Sequence, residues 1–434
     1  MKTLARLSSL AAVALFAAAC SSSAATPTAA PASAAPATPA PASAAAATPA
    51  PATTPAPATA ATLTGKLTIW EAYGASGKSE KDAFDAMVDL VMKENQGLDV
   101  TVLDVPFNNL FTKFETAAAT GGGPDLYIAP NDNLPTEARA NLLLDVSALK
   151  AQLMAAPYSE SQVSIDAATV DGKLYEIPES MKAVGFFYRT DKLPTPPKTS
   201  DDWINTVKGG TKLGLVYGAN GGGAYYTWGL YGTFGGTILD PATGKCAASA
   251  NSGVADSLKF LSDFKKAGGV LYQNDTDAKA AFIKGTIAGF IDGPWMTGDL
   301  RTALGDKLAV VPGPTGPSGK PFAPMSAPDG FYINKASKNT DLAQKFALAM
   351  LTHEQVFVDV AGHIPANTTI QIKDKITSGF ADVIKTGFAR PTAAELNNYW
   401  GNFGNAIVAV VDKGTDPTAA VATACAAMDK ANKK

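Results

Sequence analysis

Apolar and polar positions change their period along this chain, and the changes mark out its elements. Lys66-Leu67-Thr68-Ile69-Trp70 reads as a short strand. Phe84, Met87, Val88 and Val91 then recur at helical spacing. Ser79 offers that helix an N-cap with Asp82 three residues on, and Gly97 offers it a stop. Val100 to Leu103 is the next predicted strand. A helix from Asn109 to Ala119 is halted by Gly121-Gly122-Gly123-Pro124, and Leu126-Tyr127-Ile128 is a third strand. Strands joined by helices predict a parallel sheet, with ligands collecting beyond the strands' C-terminal ends. Trp70-Glu71 and Ala129-Pro130-Asn131-Asp132 stand at such ends. Farther on, Phe186–Tyr188, Gly214–Tyr217 and Ile287–Ile291 read as strands. Ser257–Lys266, Leu342–Thr352 and Thr418–Lys430 read as helices.

The first sixty residues follow another rule. Lys2 and Arg6 precede an apolar run from Leu7 to Cys20, with Ala17-Ala18-Ala19 at its exit. That is the layout of a secretory signal peptide. It is shorter than the ~20 residues a membrane-spanning helix needs. A cysteine straight after the small residues resembles a lipobox, so residues 1–19 are expected to be removed and Cys20 to be lipidated. From Ser21 to Thr62 the chain is almost entirely Ala, Pro, Ser and Thr, without charged or aromatic residues. Such a segment cannot bury enough apolar surface to offset its ordering entropy. Residues 20–62 therefore read as a lipidated cysteine and a disordered stalk with a reach of about 130 Å.

Composition narrows the partners. The chain carries a net charge of -3, which becomes -5 once Lys2 and Arg6 are removed, and no basic stripe stands out. Nucleic acid is not an expected partner. Beyond Cys20 only Cys246 and Cys425 remain; an exported protein can pair them, but sequence does not show whether their backbones come close enough. His353 and His363 with so few cysteines make no metal constellation, and no metal or cofactor is expected. Ala72-Tyr73-Gly74-Ala75-Ser76-Gly77-Lys78-Ser79 imitates a phosphate-binding loop between strand and helix. An exported chain does not meet cytoplasmic nucleotides, so the stretch reads as a loop ending in a helix cap at Ser79.

Several motifs fall in one order along the body. They are Lys66–Trp70, Ala119–Asp125, Asp171-Gly172-Lys173-Leu174-Tyr175-Glu176-Ile177-Pro178, Tyr188–Thr199, Tyr226-Thr227-Trp228, Gly293-Pro294-Trp295 and Tyr399-Trp400. Together they resemble the maltose/maltodextrin-binding proteins of bacterial ABC importers, family 1 of the extracellular solute-binding proteins. The resemblance implies an α/β fold of two lobes, the type II-like periplasmic-binding-protein fold, with a ligand cleft between the lobes and a multi-segment hinge. Carried over, lobe one is residues 63–181 and 325–373, and lobe two is 182–324 and 374–434. It further implies a carbohydrate receptor, not an enzyme. Such a receptor works as a monomer, is anchored by its lipid to the membrane on the periplasmic or cell-surface side, and delivers its ligand to the permease subunits of an ABC transporter.

The site residues follow from the same resemblance and from the needs of a pyranose, which has apolar C–H faces and a rim of hydroxyl groups. Trp295 and Trp400 match stacking aromatics of lobe two, Tyr225 matches a third aromatic there, and Asp132 matches a cleft carboxylate of lobe one. Trp70 and Trp228 read as core. The chain also departs from the maltose binders. Ala129 stands for a Trp, Asn133 for an Arg, Lys182 for a hinge-proximal Glu, Phe111 for a Glu on the second helix, and Gly223 for a Glu of lobe two. Phe111 is a candidate substitute platform. Lys182, Glu71, Tyr73 and Asn131 are candidate polar contacts. The expected ligand is a malto-oligosaccharide or related oligosaccharide. A receptor for a polyol or glycerol phosphate, a secreted glycosidase and a stalked adhesin are the alternatives.

Overall fold

The computed structural model describes residues 62–434 other than 77 and 219–221. Cys20, the signal-like run, the Ala/Pro-rich segment, and Gly77 of the phosphate-loop imitation therefore lie outside the described residues.

Among the described residues fourteen strands build two sheets and a hairpin. They are β1 Thr64–Glu71, β2 Gly97–Asp104, β3 Leu126–Pro130, β4 Thr169–Val170, β5 Lys173–Leu174, β6 Ile177–Lys182, β7 Gly185–Arg189, β8 Leu213–Val216, β9 Val270–Tyr272, β10 Gly289–Asp292, β11 Leu308–Val311, β12 Met325–Ile333, β13 Ile364–Pro365 and β14 Phe388–Ala389. The first sheet has the order β13-β6-β12-β3-β1-β2, with β14 added to β12; the second has the order β11-β7-β10-β8-β9; β4 and β5 pair with each other. β1 runs parallel to both β2 and β3, as strand–helix alternation predicts, whereas β12 is antiparallel to β3 and β6.

The two sheets are the centres of two lobes. The chain leaves the first sheet at Lys182 and enters the second at Gly185, and it returns between Val311 and Met325. It leaves again after β13 for the helix Lys375–Thr386, whose Phe380 packs edge-on against Phe187 of β7. Three crossings make a hinge of several segments.

Strand side chains alternate between faces, and each face of the first sheet has its own core. Leu67, Ile69, Leu126 and Ile128 pack with Phe84, Met87, Val88 and Val91 of the helix Lys78–Glu94. Trp70, Tyr127, Ala129 and Tyr332 pack with Leu110, Phe114 and Ala118 of the helix Phe107–Ala119. Trp70 is thus a core residue, with the Lys113 ammonium over its ring. Lobe two has one large core, in which Trp203 is fully buried against Phe186 and Phe264. Its terminal helix, Pro417–Ala431, is tied to the rest of the lobe by a Cys246–Cys425 disulfide.

Two local expectations are corrected. The helix over Phe84–Val91 already begins at Lys78, so Ser79 is its second residue and not its cap. The Ser79 hydroxyl instead donates to Asp299 Oδ1 at 3.2 Å, across to lobe two, while Asp82 pairs with Lys78 one turn back. Gly97 does not end that helix either: the helix stops at Glu94, and Gly97 opens β2 opposite Thr64.

Candidate functional site

The C-terminal end of β10 supplies the first candidate platform. After Asp292 the chain turns through Gly293-Pro294 into a short 3-10 turn that carries a half-buried Trp295. A Cβ on residue 293 would lie 1.9 Å from the Trp295 ring, so glycine is what lets the indole fold back over its own turn. Tyr225 and Tyr226, on the helix Gly222–Thr233, place their rings 6.3 and 6.4 Å from Trp295. The same helix explains a departure noted above. A Cβ at Gly223 would lie 2.4 Å from the Tyr217 carbonyl oxygen, so no glutamate fits there. Trp400, also half-buried, opens the helix Trp400–Lys413 and packs edge-on against Tyr399. Trp228 turns the other way, into Tyr399, Tyr231 and Phe388.

Asp132, just past β3, faces these rings from lobe one. Its Oδ2 lies 3.1 Å from Nη1 of Arg390. Arg390 is 5% exposed, and its guanidinium stacks 4.5 Å above the Trp400 ring. The short strand β14 positions it, and its own N–H donates to the Ser326 carbonyl on β12. Sequence reading missed Arg390. The signal was there in part: an arginine is missing beside Asp132, where Asn133 stands, and Ala389-Arg390-Pro391 precedes Tyr399-Trp400. Burial raises the Tyr225 hydroxyl pKa well above its ordinary value. The Arg390 and Lys182 charges work the other way, and Asp132 and Asp329 add to the rise. Tyr225 therefore stays a neutral donor among four charged side chains. Phe111 is half-buried on the helix Phe107–Ala119, edge-on to Phe107 and Tyr127.

The remaining predicted residues are held inside lobe one. Asn131 is 2% exposed and donates its amide to the Ala167 carbonyl at 2.9 Å. Glu71 is fully buried; it accepts the Tyr73 backbone N–H at 2.6 Å and has Lys81 at 3.7 Å. Tyr73 is buried among Phe84, Phe357 and His363. All three are buried and brace the strand ends, with the Tyr73 N–H held by Glu71 and the Asn131 amide group held by Ala167, while the Asn131 side-chain oxygen has no hydrogen-bond partner in the protein. Among the described residues no group of three or more His, Cys, Asp and Glu side chains is placed to hold a metal ion.

The pattern of two lobes with an aromatic, hydrogen-bonding seam between them is matched by a known family. Bacterial extracellular solute-binding proteins align with residues 75–357, well over half of the chain. This chain belongs to that family. It is 25% identical over 366 residues to a maltodextrin-binding protein of Bacillus subtilis, covering 77% of this chain and 82% of the relative. A galactooligosaccharide-binding protein of the same organism is 24% identical over 386 residues, covering 84% and 89%. A maltotriose-binding protein of Thermus thermophilus, solved with maltotriose, superposes with a TM-score of 0.75 at 25% identity, over 84% of this chain and all of that one.

Beneath the seam, this solute-binding protein has a charged floor that the sequence did not announce. Lys182, at the end of β6, holds Glu80 Oε1 at 2.9 Å and Asp329 Oδ2 at 2.6 Å. His363 bridges Glu80, at 2.7 Å from Nε2, and Glu179, at 3.2 Å from Nδ1. All five side chains are buried. Burial and the Lys182 charge work against protonation of His363, yet Glu179 and Glu80 prevail and lift its pKa to about 9. Burial would raise Glu80, but Lys182 and His363 hold it below the usual carboxylate range. Lys182 itself is raised, because Asp329 and Glu80 outweigh its desolvation. With two of its three N–H groups engaged, its ammonium also lies 5.6 Å from the Tyr73 ring and 6.0 Å from the Trp295 ring. The predicted polar contact is thus chiefly a hinge-side ion pair, one that ties β6, β12 and the entry to β13 to the helix Lys78–Glu94.

Proposed function

We propose that this protein captures a malto-oligosaccharide or a closely related oligosaccharide between its lobes and presents it to the permease of an ABC importer. The observation that carries this reading is the Trp400–Arg390–Asp132 stack beside Trp295 and Tyr225. It offers flat aromatic faces for the C–H sides of pyranose rings and planar, charged hydrogen-bonding groups for their rims, the combination that small-molecule sites use for affinity and orientation. The named ligands of the relatives, maltodextrin, galactooligosaccharide and maltotriose, are of this class. A glycerol phosphate would need spare positive charge. The two cations of the site are already matched, Arg390 by Asp132 and Lys182 by Glu80 and Asp329. Such a receptor releases its ligand unchanged, and the residues named above act by holding it.

The same reading gives the N-terminus a purpose. Lipidation at Cys20 would hold a monomeric receptor at the cell envelope, and a tether raises its effective concentration near the permease. Labelling with a radioactive fatty acid should mark the wild-type protein and not Cys20→Ser; an unlabelled wild-type protein would remove the anchor.

Thermal shift and calorimetry on the mature chain test the ligand. Maltose, maltotriose, maltotetraose, galacto-oligosaccharides and glycerol 3-phosphate form the panel. A sugar should raise the melting temperature by mass action on the folded state. Trp400→Ala and Trp295→Ala should each weaken its binding at least tenfold with the fold retained. No response to any saccharide, or a response to glycerol 3-phosphate alone, would overturn the reading.

A further inference from the structure

We propose that the short helix Thr297–Leu304 is a clasp: it fastens lobe two to lobe one beside the cleft without touching a ligand, and so sets how tightly the protein holds one. The inference deepens the sugar reading above, but its first test needs no sugar.

The helix starts two residues beyond Trp295, in lobe two, and lies against two parts of lobe one. Gly298 makes the close approach possible. A Cβ there would lie 2.4 Å from Ser79 Oγ, 2.5 Å from Ser79 Cβ and 2.8 Å from the Val360 carbonyl oxygen, all of them in lobe one. At such distances a side chain at 298 must push the lobes apart. From the facing side, the chain turns at Gly362 with φ at 77°, where a Cβ would lie 2.4 Å from Thr297 Cγ2. The seam is therefore flush only because glycine stands on both sides of it.

Polar groups fasten what the glycines bring together. The Ser79 hydroxyl donates to Asp299 Oδ1 at 3.2 Å, and Lys279 holds Asp299 Oδ2 from within lobe two at 3.2 Å. Ser79, the last residue of the phosphate-loop imitation, thereby finds a use between the lobes. Arg301 donates through Nη2 to the carbonyls of Asp359 and Val360, at 2.8 and 3.0 Å. These carbonyls end a single π-helical turn, Phe357–Ala361, where helical carbonyls run out of backbone partners. Hydrogen bonds from a guanidinium are stronger than neutral ones. Arg301 Nη1 also lies 3.5 Å from Asp374, the cap of the helix Lys375–Thr386 that follows the third crossing.

Position decides what the seam does. Ser79 adjoins Glu80, which Lys182 holds in the charged floor, and Gly298 is three residues from the candidate platform Trp295. The contact is thus made on the cleft side of the hinge strands, and opening the cleft must part it. A contact present only when the lobes are together favours that state, and it does so whether or not a ligand is bound.

Small-angle scattering on the unliganded full mature chain tests the clasp. Gly298→Val should enlarge the radius of gyration relative to the wild-type protein, with circular dichroism as the folding control. Arg301→Gln should enlarge it less. Arg301 is partly exposed, so this variant decides the matter if Gly298→Val does not fold. Calorimetry with maltotriose and with a galacto-oligosaccharide gives the second arm. Affinity falls with the fraction of molecules able to close, so Gly298→Val should weaken binding about tenfold and Arg301→Gln about threefold, chiefly through faster release. An unchanged radius in the folded variants would overturn the clasp, and so would wild-type affinity in them. If neither sugar binds the wild-type protein, the sugar reading falls and the scattering alone judges the clasp.

Discussion

The two lobes solve the problem of a stable interior by different means. Lobe one buries ionisable groups. Glu71, Glu80, Glu137, Glu160, Glu176, Glu179, Lys182, Asp329, Glu354 and His363 are all nearly inaccessible. Lobe two buries hydrocarbon. Its core is one large cluster built around Trp203, Phe186, Phe187, Phe264, Phe282 and Phe290, with a disulfide across its terminal helix. Arg189, Asp292 and Arg390 are its few buried ionisable side chains among the described residues. The difference follows the hinge. Three strands that pass between the lobes bring Lys182, Asp329 and His363 to one place, where only paired charge is tolerable. The lobe that carries Trp295, Trp400 and Tyr225 needs no such floor, because these side chains pack on an apolar core.

The comparison breaks most sharply at Lys182. Lys182→Met leaves Glu80 and Asp329 buried without their common cation, and removing one partner of a buried pair costs about 3–5 kcal/mol. Denaturant unfolding of the variant should show that loss. Asp292→Asn in lobe two should cost far less. Burial raises the Asp292 pKa well above the usual carboxylate range, so that carboxyl is close to a neutral amide already. Similar losses in both variants would mean that the buried charge of lobe one has no special weight.

A smaller effect comes from pH. Burial lifts the Glu137 pKa to about 8 and that of Glu160 to about 9, and His363 stands at about 9 for the reasons given above. Each folded-state value lies above the unfolded one, so the folded protein holds more protons between them. Stability from these groups is therefore fully present below the unfolded values and is lost as pH rises through 8 to 9. Unfolding measured at pH 6 and pH 9 should show lower stability at pH 9, and Glu160→Gln should lessen the drop. A pH-independent protein, or a drop that Glu160→Gln leaves unchanged, would contradict the assignment of buried acids to lobe one.

Sequence reading reached the two lobes differently too. Trp295 and Trp400 come from the family resemblance carried by Gly293-Pro294-Trp295 and Tyr399-Trp400, and both are half-buried in lobe two. The strand before Trp295 is read two residues early, as Ile287–Ile291 against an observed Gly289–Asp292, and the motif survives that slip. Glu80, Glu179 and Glu354 are not legible. In sequence they look like any solvated carboxylate, and their burial arises only when distant strands and helices close over them. Arg390 escapes for the same reason, since Asp132 lies far upstream and nothing local ties the two. Ser79 shows the converse error: a good local cap signal lost to tertiary structure, which gave its hydroxyl to Asp299 in the other lobe.

The smallest expected effect separates burial from charge itself. Lys345 and Asp341 also belong to lobe one and pair at 2.7 Å, closer than Lys182 and Glu80. Both side chains are more than half exposed on the helix Thr340–Leu351, one turn apart. In water the attraction is screened, and holding two long side chains in one geometry costs entropy, so such pairs contribute no more than about 0.5 kcal/mol. Lys345→Met should thus leave the unfolding midpoint almost where it is, against the large shift for the same exchange at Lys182. If the two substitutions cost alike, distance and charge would govern these pairs. A tenfold or greater difference in their unfolding constants would show that the closing of the hinge strands over Lys182 is what gives that charge its weight.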